Sequence, residues 1–108
     1  MDRHVRIDLF SLAAHRLAVL RLREQPRRLD EAREVIRRWR AQTAPQPAHC
    51  DPYWEEWDRL LAEGVDAVER VICSPDDHAA TLRSVSPLGR FVSPAERYRM
   101  LREAQDGE

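Results

Sequence analysis

Lysine and asparagine are absent from this chain of 108 residues, and all eighteen of its basic side chains are arginine. Arginine without lysine is first of all the usage of GC-rich coding, although a guanidinium also favours bidentate contacts with carboxylates and phosphates. Glycine occurs only three times, and Val, Ile, Thr and the aromatics never gather in alternating runs, which argues against strands. No stretch approaches the roughly eighteen uninterrupted apolar residues of a membrane span. The opening Met1-Asp2-Arg3-His4 has neither the apolar run nor the cleavage site of a secretory signal, so a cytoplasmic location is expected, with no membrane partner. Cys50 and Cys73 allow one bridge at most, and a reducing compartment keeps them as thiols.

What is present is charge, unevenly placed. Residues 1–50 hold eleven arginines and six acids, a net of +5, while residues 51–108 hold seven and thirteen, a net of −6. The near-neutral total therefore conceals a dipole, and a basic block of this kind is expected to meet nucleic acid or an acidic partner. The length suits one domain with a single core.

The apolar periodicity predicts an all-α chain of five or six short helices. The first runs from about Asp8 to Glu24, with Val5, Leu9, Leu12, Ala13, Leu17, Val19 and Leu20 inward. Arg16 and Arg23 lie beside that stripe, where their stems cover core edge or mark an interface. Pro26 suits the first turn of a second helix, and Leu29, Ala32, Val35, Ile36 and Trp39 form its seam. The two are expected to pair as an N-terminal antiparallel hairpin over residues 8–41, with Arg27–Glu31 and Glu34–Arg38 as outer i, i+4 pairs. A Pro-rich connector follows over 42–52, and an acidic helical part over 53–105.

In that second part, Asp51-Pro52 is expected to open a helix through Tyr53, Trp54, Trp57, Leu60 and Leu61, ending at Gly64. Asp66 with Glu69 reads as a capping box, Ser74-Pro75 as a second helix start, and Ser86-Pro87-Leu88-Gly89 as a type I turn. Ser93, Pro94 and Glu96 open a last helix with Tyr98 and Leu101 inward.

The run from Leu82 to Tyr98 resembles a tail found in small bacterial all-helical proteins, L-R-x-x-S-P-F-x-G-x-L-[ST]-P-x-E-R-W. Leu88 stands where that tail has an aromatic, Arg90 where it has glycine, and Tyr98 where it has tryptophan. The leucine-rich first helix, Pro26, Leu29, Ala32-Arg33 and Trp39 follow the same group's order, so the likeness covers most of the chain. It implies a small helical partner protein, loosely associated with toxin and antitoxin gene pairs, and supplies no catalytic residues.

Candidate chemistry divides three ways. Arg27, Arg28, Arg33, Arg37, Arg38 and Arg40 crowd one helix around Trp39, a strip fit for phosphates if it is not a solvated face interrupted by Glu31 and Glu34. A helix-turn-helix over Val65–Val85 would lead its second helix with Asp76 and Asp77, which helix capping explains better. His49, Cys50, Cys73 and His78 are zinc-ligand types at poor spacing, so no metal or other cofactor is expected, and Cys73 reads as a small buried hydrophobe. For an enzyme, His15 is placed on the polar flank of its helix, and the adjacent acid pairs diverge around theirs. Tyr53 and Trp54 cannot both be hidden with Trp57, so one of them edges the core or anchors an interface.

These readings converge on a non-enzymatic protein-binding or regulatory module, a toxin–antitoxin or defence component, binding another protein or itself through Arg16, Arg23, Arg37, Arg38, Arg40, Tyr53 and Trp54. The alternatives are nucleic-acid binding through the 26–41 helix and a small enzyme without a recognised motif.

Overall fold

A computed structural model describes residues 3–106, and side chains from Ile7 to Gln105. Six α-helices follow one another: α1 (Arg3–Glu24), α2 (Arg28–Thr43), α3 (Asp51–Glu63), α4 (Val65–Ile72), α5 (Asp77–Ser84) and α6 (Pro94–Asp106), with a single 3₁₀ turn at Leu88–Phe91 before the last. The all-helical expectation holds, and no strand occurs among the described residues. No described helix is long and apolar enough to cross a membrane.

The core forms where the apolar faces of α1 to α5 and the 3₁₀ turn meet. Leu22, Trp57, Val68, Ile72 and Leu82 are each completely buried, and burial of one such side chain contributes about 1.5–3 kcal/mol. Trp57 also donates its indole N–H to the carbonyl of Leu82 at 2.8 Å, so the largest core side chain leaves no orphaned donor.

The predicted seams on α2 and α3 are the ones that pack: Ala32, Val35 and Ile36 on one, Trp57, Leu60 and Leu61 on the other. The expected hairpin partner is corrected, because α2 lies chiefly against α3, while α1 packs on α6, α4, α5 and the 3₁₀ turn. An apolar seam specifies that a face is covered, not which helix covers it. The inward face assigned to α1 is also displaced. Leu12, His15, Ala18, Val19 and Leu22 are buried, whereas Leu9 and Leu20 are exposed. Leucine and alanine occur nearly all round α1, so its periodicity leaves the phase open and docking against four elements sets it. The side chain of Val5 lies outside the described residues.

Helix starts depart from expectation in an instructive pattern. Ser93 and Glu96 do form a capping box, the Glu96 N–H donating to Ser93 Oγ at 3.1 Å and the Ser93 N–H to Glu96 Oε1 at 2.8 Å. At α5 the cap is Asp76 rather than Ser74, with Oδ1 accepting from the Ala79 N–H at 2.8 Å while Ser74 Oγ donates to the other oxygen. Asp51, Asp66 and Glu69 cap nothing, because arginines from other helices hold them. Pro26 precedes α2 in a tight turn, its carbonyl accepting from the Leu29 N–H at 3.1 Å. The stretch Ser86–Gly89 leads into the 3₁₀ turn, with Ser86 Oγ accepting from the Leu88 N–H at 3.0 Å. Gly64 ends α3 and opens α4 with φ 121° and ψ 178°, a conformation almost restricted to glycine. Tyr98 and Leu101, expected inward, are 65% and 37% exposed.

Candidate functional site

The charge asymmetry of the sequence is largely consumed inside the molecule. Arg23 binds Asp66 at 2.8 Å and Glu69 at 3.0 Å, tying α1 to α4. Arg33 binds Asp58 at 2.9 Å, and Arg40 binds both oxygens of Asp51 at 2.9 and 3.0 Å. Arg21 forks onto Glu96 and also donates to the carbonyl of Phe91 at 2.6 Å. In the reverse sense, Arg83 binds Asp8 at 2.6 Å and Arg90 binds Glu31 at 3.0 Å. The basic and acidic halves thus neutralise each other within one copy. The paired guanidiniums of Arg21, Arg23, Arg33 and Arg40 are pushed above the ordinary arginine range, first by hydrogen bonds to these carboxylates. Glu96 is held down at about 2, chiefly by Arg21.

The arginine strip on α2 is accordingly interrupted. Arg28 pairs with Glu31 and lies 4.2 Å from the ring centre of Phe91, and Arg37 pairs with Glu34. These i, i+3 pairs replace the expected Arg27–Glu31 and Glu34–Arg38 pairs, one residue out of register. Arg27 and Arg38 are exposed and hold no carboxylate among the described residues. Arg16 is exposed on α1, within electrostatic range of Cys73, so Arg16 and Arg23 belong to the α1–α4 side of the molecule.

Arg38 and Trp54, by contrast, line two adjoining recesses. Two recesses of about 350 Å³ each adjoin at Trp39, Gln42 and Ser86. Arg38, Val35, Pro87 and Arg90 complete one, and Thr43, Trp54, Ser84 and Val85 the other. Trp39 and Trp54 stand with ring centres 5.6 Å apart and planes tilted by 39°. The floor is the linker between α5 and the 3₁₀ turn. Trp39 was readable only as core seam; its place on α2 just before the connector, with Trp54 just after it, is the signal that pairs them. Tyr53 faces elsewhere, its ring 6.2 Å from His78, which in turn contacts both oxygens of Glu56 at 2.9 Å.

A third cavity, about 220 Å³, opens between α1, α5, the 3₁₀ turn and α6, with His15 and Arg83 in its wall. His15, expected on the surface, is 8% exposed. Its Nδ1 lies 2.7 Å from the carbonyl of Ser11, which can only accept, so Nδ1 carries the proton and Nε2 the lone pair. Burial first, and Arg83 in addition, depress the imidazole pKa to about 4, against the pull of that hydrogen bond. Nε2 is shut off from solvent without a hydrogen-bond partner among the described residues. Arg83 is fully buried, donating to the carbonyls of Ile72 and Ser74 at 2.7 Å as well as to Asp8.

Among the described residues no three His, Cys, Asp or Glu side chains gather as a metal site, so His49, Cys50, Cys73 and His78 do not converge. Cys73 is half-buried, and burial raises its thiol pKa. Fold and groove together define a small all-α domain with an aromatic, arginine-edged surface cleft. Comparison with protein-family models, curated proteins and solved structures gives no match.

Proposed function

We propose that this chain is a non-enzymatic protein-binding module whose contact surface is the Trp39–Trp54 groove. One observation carries the reading: Arg38, which holds no carboxylate among the described residues, lines a cleft that also bears the Trp39–Trp54 pair, and arginine and tryptophan dominate binding hot spots. A regulatory role, of the kind the tail resemblance implies, fits a domain that acts by occupying a partner. The nucleic-acid reading has less support, because Arg28, Arg33, Arg37 and Arg40 hold carboxylates of the same chain. A cytoplasmic setting agrees with the two free thiols.

The test is capture of a partner from the cells that express the protein, followed by comparison of variants. The reading predicts that Gln42→Arg and Arg38→Glu release the captured protein, while Arg59→Glu, exposed on α3 outside the groove, retains it. A partner held equally by all three variants would overturn it.

A further inference from the structure

The two recesses adjoin along Trp39, Gln42 and Ser86 and together make a channel across this face. Its electrostatics are one-sided. No carboxylate lines it among the described residues, while Arg38 and Arg90 both do. Arg90 is already bound to Glu31 at 3.0 Å. Arg38 is not: it holds no carboxylate among the described residues, so of the two arginines lining the channel it is the one left to meet an incoming anion.

A second, independent observation is the indole N–H of Trp54. It is buried and has no acceptor among the described residues, although the Trp57 N–H in the same helix has one. An unmade hydrogen bond at a buried donor carries a free-energy penalty, so an incoming carbonyl or carboxylate that satisfied it would gain more than an ordinary surface contact. The rest of the lining mixes Ser86, Gln42 and Thr43 with the indole faces. That mixture suits the exposed amides of an extended peptide better than the continuous apolar stripe of a helix.

On the reading that the groove binds a protein, we infer that its occupant is an extended acidic segment of that partner, with a carboxylate on Arg38 and an apolar side chain against the Trp39–Trp54 pair. A nucleic acid would also stack on tryptophan, but tracking a phosphate backbone takes several uncommitted cations in a row. The channel offers one, and exposed Glu55 stands next in sequence to Trp54.

The experiment uses the whole chain and three dye-labelled ligands: a peptide alternating glutamate with leucine, its counterpart with glutamine for glutamate, and oligothymidine. Binding is read by dye anisotropy and by tryptophan emission. The glutamate peptide is expected to bind at least about tenfold more tightly than the glutamine peptide, the scale of one charge-assisted hydrogen bond, and to change tryptophan emission. Arg38→Ala should abolish the difference, Trp54→Phe should weaken both peptides, and Arg59→Ala should change neither. Equal binding of the two peptides overturns the acidic segment while leaving partner binding by the groove intact. So does binding of neither peptide when partner capture still depends on Arg38. Tighter binding of oligothymidine, lost in Arg38→Ala, assigns the channel to nucleic acid. Loss of both peptide binding and Arg38-dependent capture removes the inference and the function together. Unchanged helical circular dichroism in each variant separates these outcomes from misfolding.

Discussion

Arg40 near the end of α2 holds both carboxylate oxygens of Asp51, the first residue of α3, closing the proline-bearing connector between them with two charge-assisted hydrogen bonds. Asp51 was expected to cap its own helix. The guanidinium outcompetes that role, because a bidentate ion pair satisfies both oxygens at once.

Loss of this clamp should loosen residues 44–50 more than it unfolds the protein. Asp51→Asn is expected to cost roughly 1 kcal/mol, since the arginine is partly solvated. Hydrogen exchange should rise at the connector and the first turn of α3 while the amides around Trp57 stay protected. Uniform acceleration across the core would contradict this.

Arg83 is the buried charge among the described residues, and Asp8 is its counter-charge. Asp8→Asn leaves the guanidinium enclosed with neutral acceptors only, at a cost on the order of 3 kcal/mol. Arg83→Lys should be no milder, because one ammonium cannot copy a fork whose Nη1 serves Ile72 and Ser74 while Nη2 serves Asp8. Urea midpoints should fall for both with the slope unchanged. A near-wild-type midpoint for Asp8→Asn would show the pair to be dispensable.

The pH dependence has two separate windows. His15 titrates at about 4 when folded against about 6.5 unfolded, so between those values the unfolded chain binds the extra proton and stability falls as the pH drops. The loss approaches roughly 3 kcal/mol by pH 4. Carboxylates held below their usual range, Glu31, Asp76 and Glu96, favour the fold above about 4.5 and lose that contribution at lower pH. His15→Leu should therefore flatten the upper window and leave the lower one. Persistence of the upper slope in that variant would assign it to another group.

Gly64 joins α3 to α4 without an intervening loop. A Cβ there meets nothing within 4 Å, so the cost of Gly64→Ala is the backbone conformation alone, about 1–3 kcal/mol. Thermal denaturation measures it. If the variant is as stable as wild type, the junction tolerates an ordinary φ.

Much of the architecture was legible locally. The Ser93–Glu96 box, the Gly64 terminator and the seams Ala32–Val35–Ile36 and Trp57–Leu60–Leu61 appear where the residue pattern puts them. The candidate site was legible only in fragments. Arg38 and Trp54 were both named from sequence, but Trp39 was assigned to the core, and Ser86 and Pro87 were read as a turn rather than as the floor of a groove. Arg16, Arg23, Arg37, Arg40 and Tyr53 were named with them and lie elsewhere or are committed to other contacts.

By itself the sequence determined the helical class, the Ser93–Glu96 start of α6, the Gly64 break and the apolar seams of α2 and α3, because caps, glycine conformations and side-chain periodicity act over a few residues. Only the tertiary structure decided which carboxylate each arginine holds, which face of α1 is buried, and that His15 is enclosed. A guanidinium can satisfy itself on any acid brought within reach, and the acids in reach here lie up to 75 residues away. Which of them arrives, and which arginine is left over at the groove, follows from how the helices dock.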